Sequence, residues 1–167
     1  MKKFPSGKYG RQRLEFFPSP YRPPLRPFAV LVFPWKGDEV LLCNICDRGW
    51  CIPSGRVEPF ENPCDAVRRE ADEEAGAILE HVQYLGAYRI TERSEVRWAE
   101  VYAAVVAGLK EIGMQEESLG RQFVAKADVQ SVYHSWNPLI EALFEHSHGC
   151  VRRLLETPGL TEACDGR

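Results

Sequence analysis

The sequence predicts an α/β fold, a mixed β-sheet with helices packed against it. Three observations carry this expectation: paired apolar runs from Phe28 onward, a well-capped short helix after Asn62, and two long β-rich segments followed by a second amphipathic helix. The order is strands, one helix, strands, one helix, which does not fit a regular βαβ array.

The 167 residues suit one domain with a sizeable core. Hydrophobic residues make up 44% and charged residues 27%, a balance that excludes fibres, coiled coils and disordered chains. No apolar run approaches the ~18 residues a membrane span needs, and the basic start lacks the apolar core of a signal peptide. A cytoplasmic location is the expectation, and with it six reduced cysteines, at 43, 46, 51, 64, 150 and 164, rather than a disulfide framework.

Residues 1–27 form a basic arm. Seven Lys and Arg stand there against Glu15 alone, a net of +6, which leaves −9 for the other 140 residues. Six prolines remove backbone donors and fix φ, so the arm is expected to be extended and without regular ladders. Phe4, Tyr9, Phe16, Phe17 and Tyr21 are costly to leave in water, so the arm should pack on the body or on a second subunit.

From residue 28 to 149 runs the expected domain. "FAVLVF" and "VLLCNIC", joined by "KGDE", read as a hairpin of buried strands. A helix follows from about Pro63 to Ala75: Asn62 caps it, Pro63 suits its first turn, Asp65 complements the dipole, and Gly76 can take the left-handed conformation that ends it. "LEHVQYLGAYRIT" and "VRWAEVYAAVVAGL" read as strands, "KEIGMQEESLGRQ" as a polar loop, and "FVAKADV" as a short strand. "NPLIEALFEHS" is a second helix, capped by Asn137. Residues 150–167 are a tail without assignment.

The first helix carries the chemistry. At about 100° per residue, Cys64, Val67, Ala71 and Ala75 form one buried stripe, and Glu70, Glu73 and Glu74 share an arc that borders it. Arg68, Arg69 and Asp72 fall on other faces. Like charges three and four residues apart repel, and a neighbouring apolar stripe adds desolvation, so a cation is expected there. Oxygen donors of this kind suit a hard divalent ion, Mg²⁺ or Mn²⁺. A plain solvated helix face is the alternative reading.

The spacing resembles the Nudix family box, G-x5-E-x7-R-E-U-x-E-E-x-G-U with U a bulky aliphatic residue. Gly55, Glu61, Arg69, Glu70, Glu73, Glu74 and Gly76 fill its seven fixed positions, while Ala71 and Ala77 are smaller than the family prefers at U. "WCIPSG" is similar to the aromatic-x-x-Pro-Gly-Gly lead-in, with Ser54 in place of the first glycine. The resemblance implies an α/β/α sandwich around a mixed sheet and divalent-metal-dependent hydrolysis of a diphosphate linkage. It implies that Glu70, Glu73 and Glu74 hold the metal, with a backbone carbonyl of Ser54 or Gly55 as a further ligand. Glu61 would orient water or hold the loop, Arg69 would form structural ion pairs, and Gly55 and Gly76 would be conformational. The base differs among members; Glu116 and Glu117 are candidates here.

The substrate is expected to be a nucleoside diphosphate linked to another moiety, such as ADP-ribose, a nucleotide sugar or a nucleoside triphosphate. A catalytically silent nucleotide-binding sensor is the rival reading. Tyr88 lies in a stretch expected to set specificity, and Trp136 with Tyr133 is a candidate pocket residue. His134, His146 and His148 read as structural, and Cys43 and Cys46, on opposite faces of a strand, as core thiols rather than a zinc site. The acidic body argues against a nucleic-acid surface, and the arm suggests exchange within a homodimer or a pocket edge.

Overall fold

The computed structural model describes residues 2–157 and Cys164. Nine strands form one sheet: β1 (Gly7–Tyr9), β2 (Gln12–Pro18), β3 (Ala29–Lys36), β4 (Glu39–Ile45), β5 (Gly49–Cys51), β6 (Ser54–Arg56), β7 (Ala77–Glu92), β8 (Glu95–Leu109) and β9 (Ser118–Ala125). Among the described residues, three α-helices accompany them, α1 (Pro63–Ala75), the single turn α2 (Val129–Val132) and α3 (Pro138–Glu156), with a 3-10 turn at Lys126–Asp128. The strand order is β1-β2-β7-β8-β3-β4-β5, with β6 paired to β3 and β9 to β4. β3 and β8 are parallel and every other pair is antiparallel, so the sheet is mixed as expected.

Alternation along the strands builds two cores. Val30 and Val32 of β3, Leu41 and Cys43 of β4, and Tyr102 and Ala104 of β8 pack with Ala66, Val67, Ala71 and Ala75 of α1. Phe33 and Trp35, Val40 and Leu42, and Val101 and Ala103 face the other way and pack with Leu139, Leu143 and Phe144 of α3. The result is a helix–sheet–helix sandwich. Ala66, Ala71 and Ala75 are fully buried, which fits close approach of α1 to the sheet.

The arm departs from expectation, because β1 and β2 form a hairpin and β2 pairs with β7 over Arg13–Pro18. Its prolines bracket this pairing instead of interrupting it: no proline falls between Pro5 and Pro18. Phe16 is buried, with Phe4 and Tyr88 edge-on to it, so the burial of these arm rings needs no second subunit. Residues 19–27 then run past Tyr84 of β7 to the loop that precedes α1. Tyr84 Oη donates to the Tyr21 carbonyl (2.6 Å), the Arg22 guanidinium lies 3.7 Å over the Tyr84 ring, and Arg26 Nη2 donates to the carbonyls of Glu58 (2.9 Å) and Glu61 (2.7 Å).

Two further expectations are corrected. α3 runs through Gly149 to Glu156, so a boundary at 149 falls inside a helix, which tolerates a single glycine at a cost of about 1 kcal/mol. Cys64 and Cys164 form a disulfide with Cα atoms 6.1 Å apart, within the range a bridge allows, while Cys43, Cys46, Cys51 and Cys150 are free. The rest of the tail, residues 158–163 and 165–167, lies outside the described residues. Among the described residues, no helix is long and apolar enough to cross a membrane.

Candidate active site

α1 is capped as its sequence predicts. The Asn62 side chain accepts from the Cys64 N–H, and Gly76, at φ 59°, returns its N–H to the carbonyls of Ala71 and Asp72. The polar loop and β9 close the C-terminal end: Met114 N–H donates to the Glu73 carbonyl (3.1 Å), Ser118 Oγ to that of Glu74 (2.6 Å), and Arg121 Nη1 to that of Ala75 (2.8 Å). These bonds satisfy carbonyls that no helical turn can reach, and Arg121 sets a cation at the negative end of the dipole.

The helix turns Glu70 and Glu74 toward β6. A side chain at position 55 would collide with the Glu70 carboxylate, so a glycine there makes the space that this acid fills. Glu74 Oε2 accepts the Ser54 N–H (3.1 Å) and faces the Cys43 thiol (3.6 Å). Both acids are buried, whereas the Glu73 side chain is about one-third exposed. Burial raises the pKa of Glu70, against the pull of the Arg69 hydrogen bond. Burial raises Glu74 more, to about 7, helped by the Glu70 charge and opposed by the Ser54 N–H.

Arg69 does not point away. Its Nε and Nη2 form a fork on Glu61 (2.8 and 2.9 Å), Nη2 also reaches the Arg56 carbonyl (2.9 Å), and Nη1 touches Glu70 (2.8 Å) and Glu73 (3.2 Å). The hydrogen bond from Arg69 holds the Glu61 carboxyl below its ordinary range. Helical spacing sets the Cα of Arg69 on another face, but its long stem carries the guanidinium back over the acids. Among the described residues, no three His, Cys, Asp or Glu side chains converge as a ready metal cage.

Beside β6 opens a cavity of about 430 Å³, lined by Ser54, Gly55, Arg48, Arg56, Arg97, Tyr9, Phe28, Tyr88, Tyr133 and His134 among others. Ala29 and Ala99, paired in register, leave room at its floor. Arg48 Nη1 donates to Ser54 Oγ (3.2 Å), and Arg97 stacks 4.3 Å from the Phe28 ring centre. Tyr88 and Tyr133 are therefore placed as candidates. Trp136 is not: partly buried, it stacks on the core residue Phe144 and lies outside the lining. Glu116 and Glu117 sit on the exposed face of the loop that bonds to α1 through Met114.

His148 pairs with Asp38 (2.9 Å) and His146 packs on Phe4, but His134 enters the cavity wall edge-on to Tyr9, which sequence reasoning missed. The cavity's arginines and Tyr9 were missed too, since they come from the arm, a turn, β6 and β8, and no spacing joins them.

A family model described as NUDIX domain matches residues 25–146. The chain belongs to the Nudix family. It is 36% identical over 84 residues to YtkD of Bacillus subtilis (strain 168), provisionally named an 8-oxo-dGTP diphosphatase, covering 50% of this chain and 53% of that protein. It is 35% identical over 110 residues to the RNA pyrophosphohydrolase of Xanthomonas campestris pv. campestris (strain B100), covering 62% and 52%. The chain thus spans about half the length of these relatives. A crystal structure of a variant of the Bacillus subtilis pyrophosphohydrolase BsRppH aligns with a TM-score of 0.69 and 23% identity, over 96% of this chain and 99% of that one, and shares the fold.

The Nudix helix is therefore α1, and its buried acids set a pH dependence. A carboxyl whose folded pKa is raised contributes stability that is full below its unfolded value and is lost as pH rises through the folded one. With chelator present, the melting temperature of this Nudix protein is expected to fall as pH rises from 4.5 to about 7, with on the order of 3 kcal/mol at stake for Glu74. Thermal scans of wild type and Glu74→Gln across that range check this: the variant should lose much of the fall, and parallel curves would refute it.

Proposed function

We propose that this Nudix protein is a divalent-metal-dependent pyrophosphohydrolase of a nucleotide diphosphate linkage, with a 5′-triphosphate favoured over ADP-ribose or a nucleotide sugar. The observation that carries the reading is the pair of buried carboxylates, Glu70 and Glu74, set against Ser54 and Gly55 at the edge of an arginine-ringed, aromatic-lined cavity. The relatives' names support the narrower substrate, since 8-oxo-dGTP is a nucleoside triphosphate and the phosphoric anhydride of an RNA lies at its 5′ end.

The donor set fits Mg²⁺ or Mn²⁺: oxygen atoms only, with two of the carboxylates desolvated and repelling each other, so that added positive charge is strongly favoured. Glu70, Glu73 and Glu74 would hold the ion, with the Ser54 or Gly55 carbonyl as a further ligand. A bound divalent ion neutralises phosphate oxygens and lowers the pKa of a bound water. Arg69 Nη1 touches Glu70 and Glu73 and would give up these contacts to an ion, while its fork on Glu61 would keep the loop in place. Arg48, Arg56 and Arg97 bind and orient the phosphate chain, which is where positioning lowers the barrier for an inert anhydride. A base from the loop of Glu116 and Glu117 belongs to the same reading.

The sensor alternative has no use for two carboxylates kept buried and adjacent at an energetic cost. A product-mass screen with Mg²⁺ and Mn²⁺ over nucleoside triphosphates, 5′-triphosphorylated oligonucleotides, ADP-ribose, nucleotide sugars and dinucleoside polyphosphates tests the reading. Turnover greatest on a 5′-triphosphate is expected; tight binding with no turnover of any compound would favour the sensor.

A further inference from the structure

Cys43 of β4 and Cys51 of β5 stand directly opposite each other in their antiparallel pair, and their side chains hydrogen-bond across it. Cys43 Sγ lies 3.4 Å from the Cys51 carbonyl, and Cys51 Sγ 3.8 Å from that of Cys43. Opposed residues of an antiparallel pair have Cα atoms ~4.5 or ~5.5 Å apart, and both spacings fall within the ~4.4–6.8 Å that a disulfide spans. The two sulfurs can therefore bond without movement of either strand. Each also reaches one half of the active site. Cys51 lines the cavity, where Arg48 Nη1 stands 3.8 Å from its sulfur, and Cys43, fully buried, faces Glu74 Oε2 at 3.6 Å. A thiol that only fills the core needs neither a cavity beside it nor an arginine, and a neighbouring guanidinium favours the nucleophilic form of sulfur. A bound zinc would need further donors, and among the described residues no three His, Cys, Asp or Glu converge.

We propose that Cys43 and Cys51 are an oxidation site: a hydroperoxide that enters the cavity converts them to a disulfide, and the bond turns the hydrolase down. The effect on turnover rests on the pyrophosphohydrolase reading. The Cys51 sulfur attacks one peroxide oxygen, the O–O bond breaks, and the other oxygen leaves with the thiol proton as an alcohol, or as water when the oxidant is hydrogen peroxide; Cys51 is then a sulfenic acid. The Cys43 sulfur attacks that of Cys51, the S–S bond forms, the S–O bond breaks, and hydroxide leaves with the Cys43 proton as water. Two thiols are oxidised and one hydroperoxide is reduced. Access sets the order, since Cys51 borders the cavity and Cys43 lies at the acid. Once bonded to Cys51, the Cys43 sulfur no longer serves Glu74, which keeps the Ser54 N–H. Loss of a partner that orients a metal-holding group costs about 10–100-fold in metal affinity or activity.

The test uses the full chain with Cys46→Ser as parent, so that tryptic peptide 37–48 carries Cys43 alone and peptide 49–56 carries Cys51 alone. After treatment with hydrogen peroxide and alkylation of free thiols, mass spectrometry should find these two peptides joined, and find them separate after dithiothreitol. Cleavage of a nucleoside triphosphate with Mg²⁺ should fall about tenfold on oxidation and recover with dithiothreitol, and Mn²⁺ affinity, read by electron paramagnetic resonance, should weaken by a similar factor. Adding Cys43→Ser or Cys51→Ser should abolish the reversible part of both changes; these variants keep Cys64 and Cys164, so that bridge is not the cause. Cys43 and Cys51 still free after peroxide, or a joined pair with turnover and Mn²⁺ affinity within twofold of the reduced protein, would overturn the proposal. If the reduced protein hydrolyses nothing, the pyrophosphohydrolase reading fails, and the joined peptides together with the Mn²⁺ affinity still decide the oxidation site.

Discussion

Replacing Glu74 with Gln is expected to lower metal-dependent turnover on the order of 10²-fold or more while the folded protein keeps or gains stability above pH 7. The amide oxygen of Gln can still accept the Ser54 N–H, and the neutral group no longer repels Glu70 in a desolvated site. Loss of a charged oxygen, however, removes what a divalent ion requires. Glu73→Gln should cost a similar factor in turnover with little stability change, because its side chain is partly exposed and already shares Arg69. Steady-state kinetics at saturating Mg²⁺, paired with thermal scans, checks both. Near-wild-type turnover in the two variants would remove the acids from the mechanism.

Gly55→Ala is the second large effect. A Cβ there lands on the Glu70 carboxylate, and backbone pairing of β6 with β3 through Gly55 and Val30 leaves the strand little freedom to retreat. Glu70 must swing out, so turnover should fall on the order of 10²-fold, while stability changes little, because the atoms that give way are the free end of a flexible side chain. Adding Glu70→Ala should restore none of the activity. If Gly55→Ala retains wild-type turnover, the close packing of Glu70 on β6 is not what holds the site together.

The helix at the centre of both predictions was legible in the sequence because its determinants are local. Asn62, Pro63 and Gly76 mark its ends by backbone chemistry, and the spacing of Glu70, Glu73 and Glu74 alone aims them at one side of the buried stripe. The buried hairpin of β3 and β4 was legible for the same reason. What failed was non-local. Proline count concealed β2, since pairing depends on where prolines fall and not on how many there are. Gly149 looked like a stop, yet α3 continues because Cys150 and Val151 still reach the core. Arg69 was assigned by its Cα, although a guanidinium several bonds away decides which charges it meets. The cavity draws on residues as distant as Tyr9 and His134, and only the folded sheet brings them together.

The central claim is that the acids of α1 hold a divalent ion that drives anhydride cleavage. It is tested most directly by product analysis of one 5′-triphosphate with chelator, then with Mg²⁺ restored, in wild type and Glu74→Gln. Release of pyrophosphate or phosphate that stops with chelator, returns with Mg²⁺ and stays low in the variant is the predicted result. Cleavage indifferent to chelator, or equal in the two proteins, would contradict it.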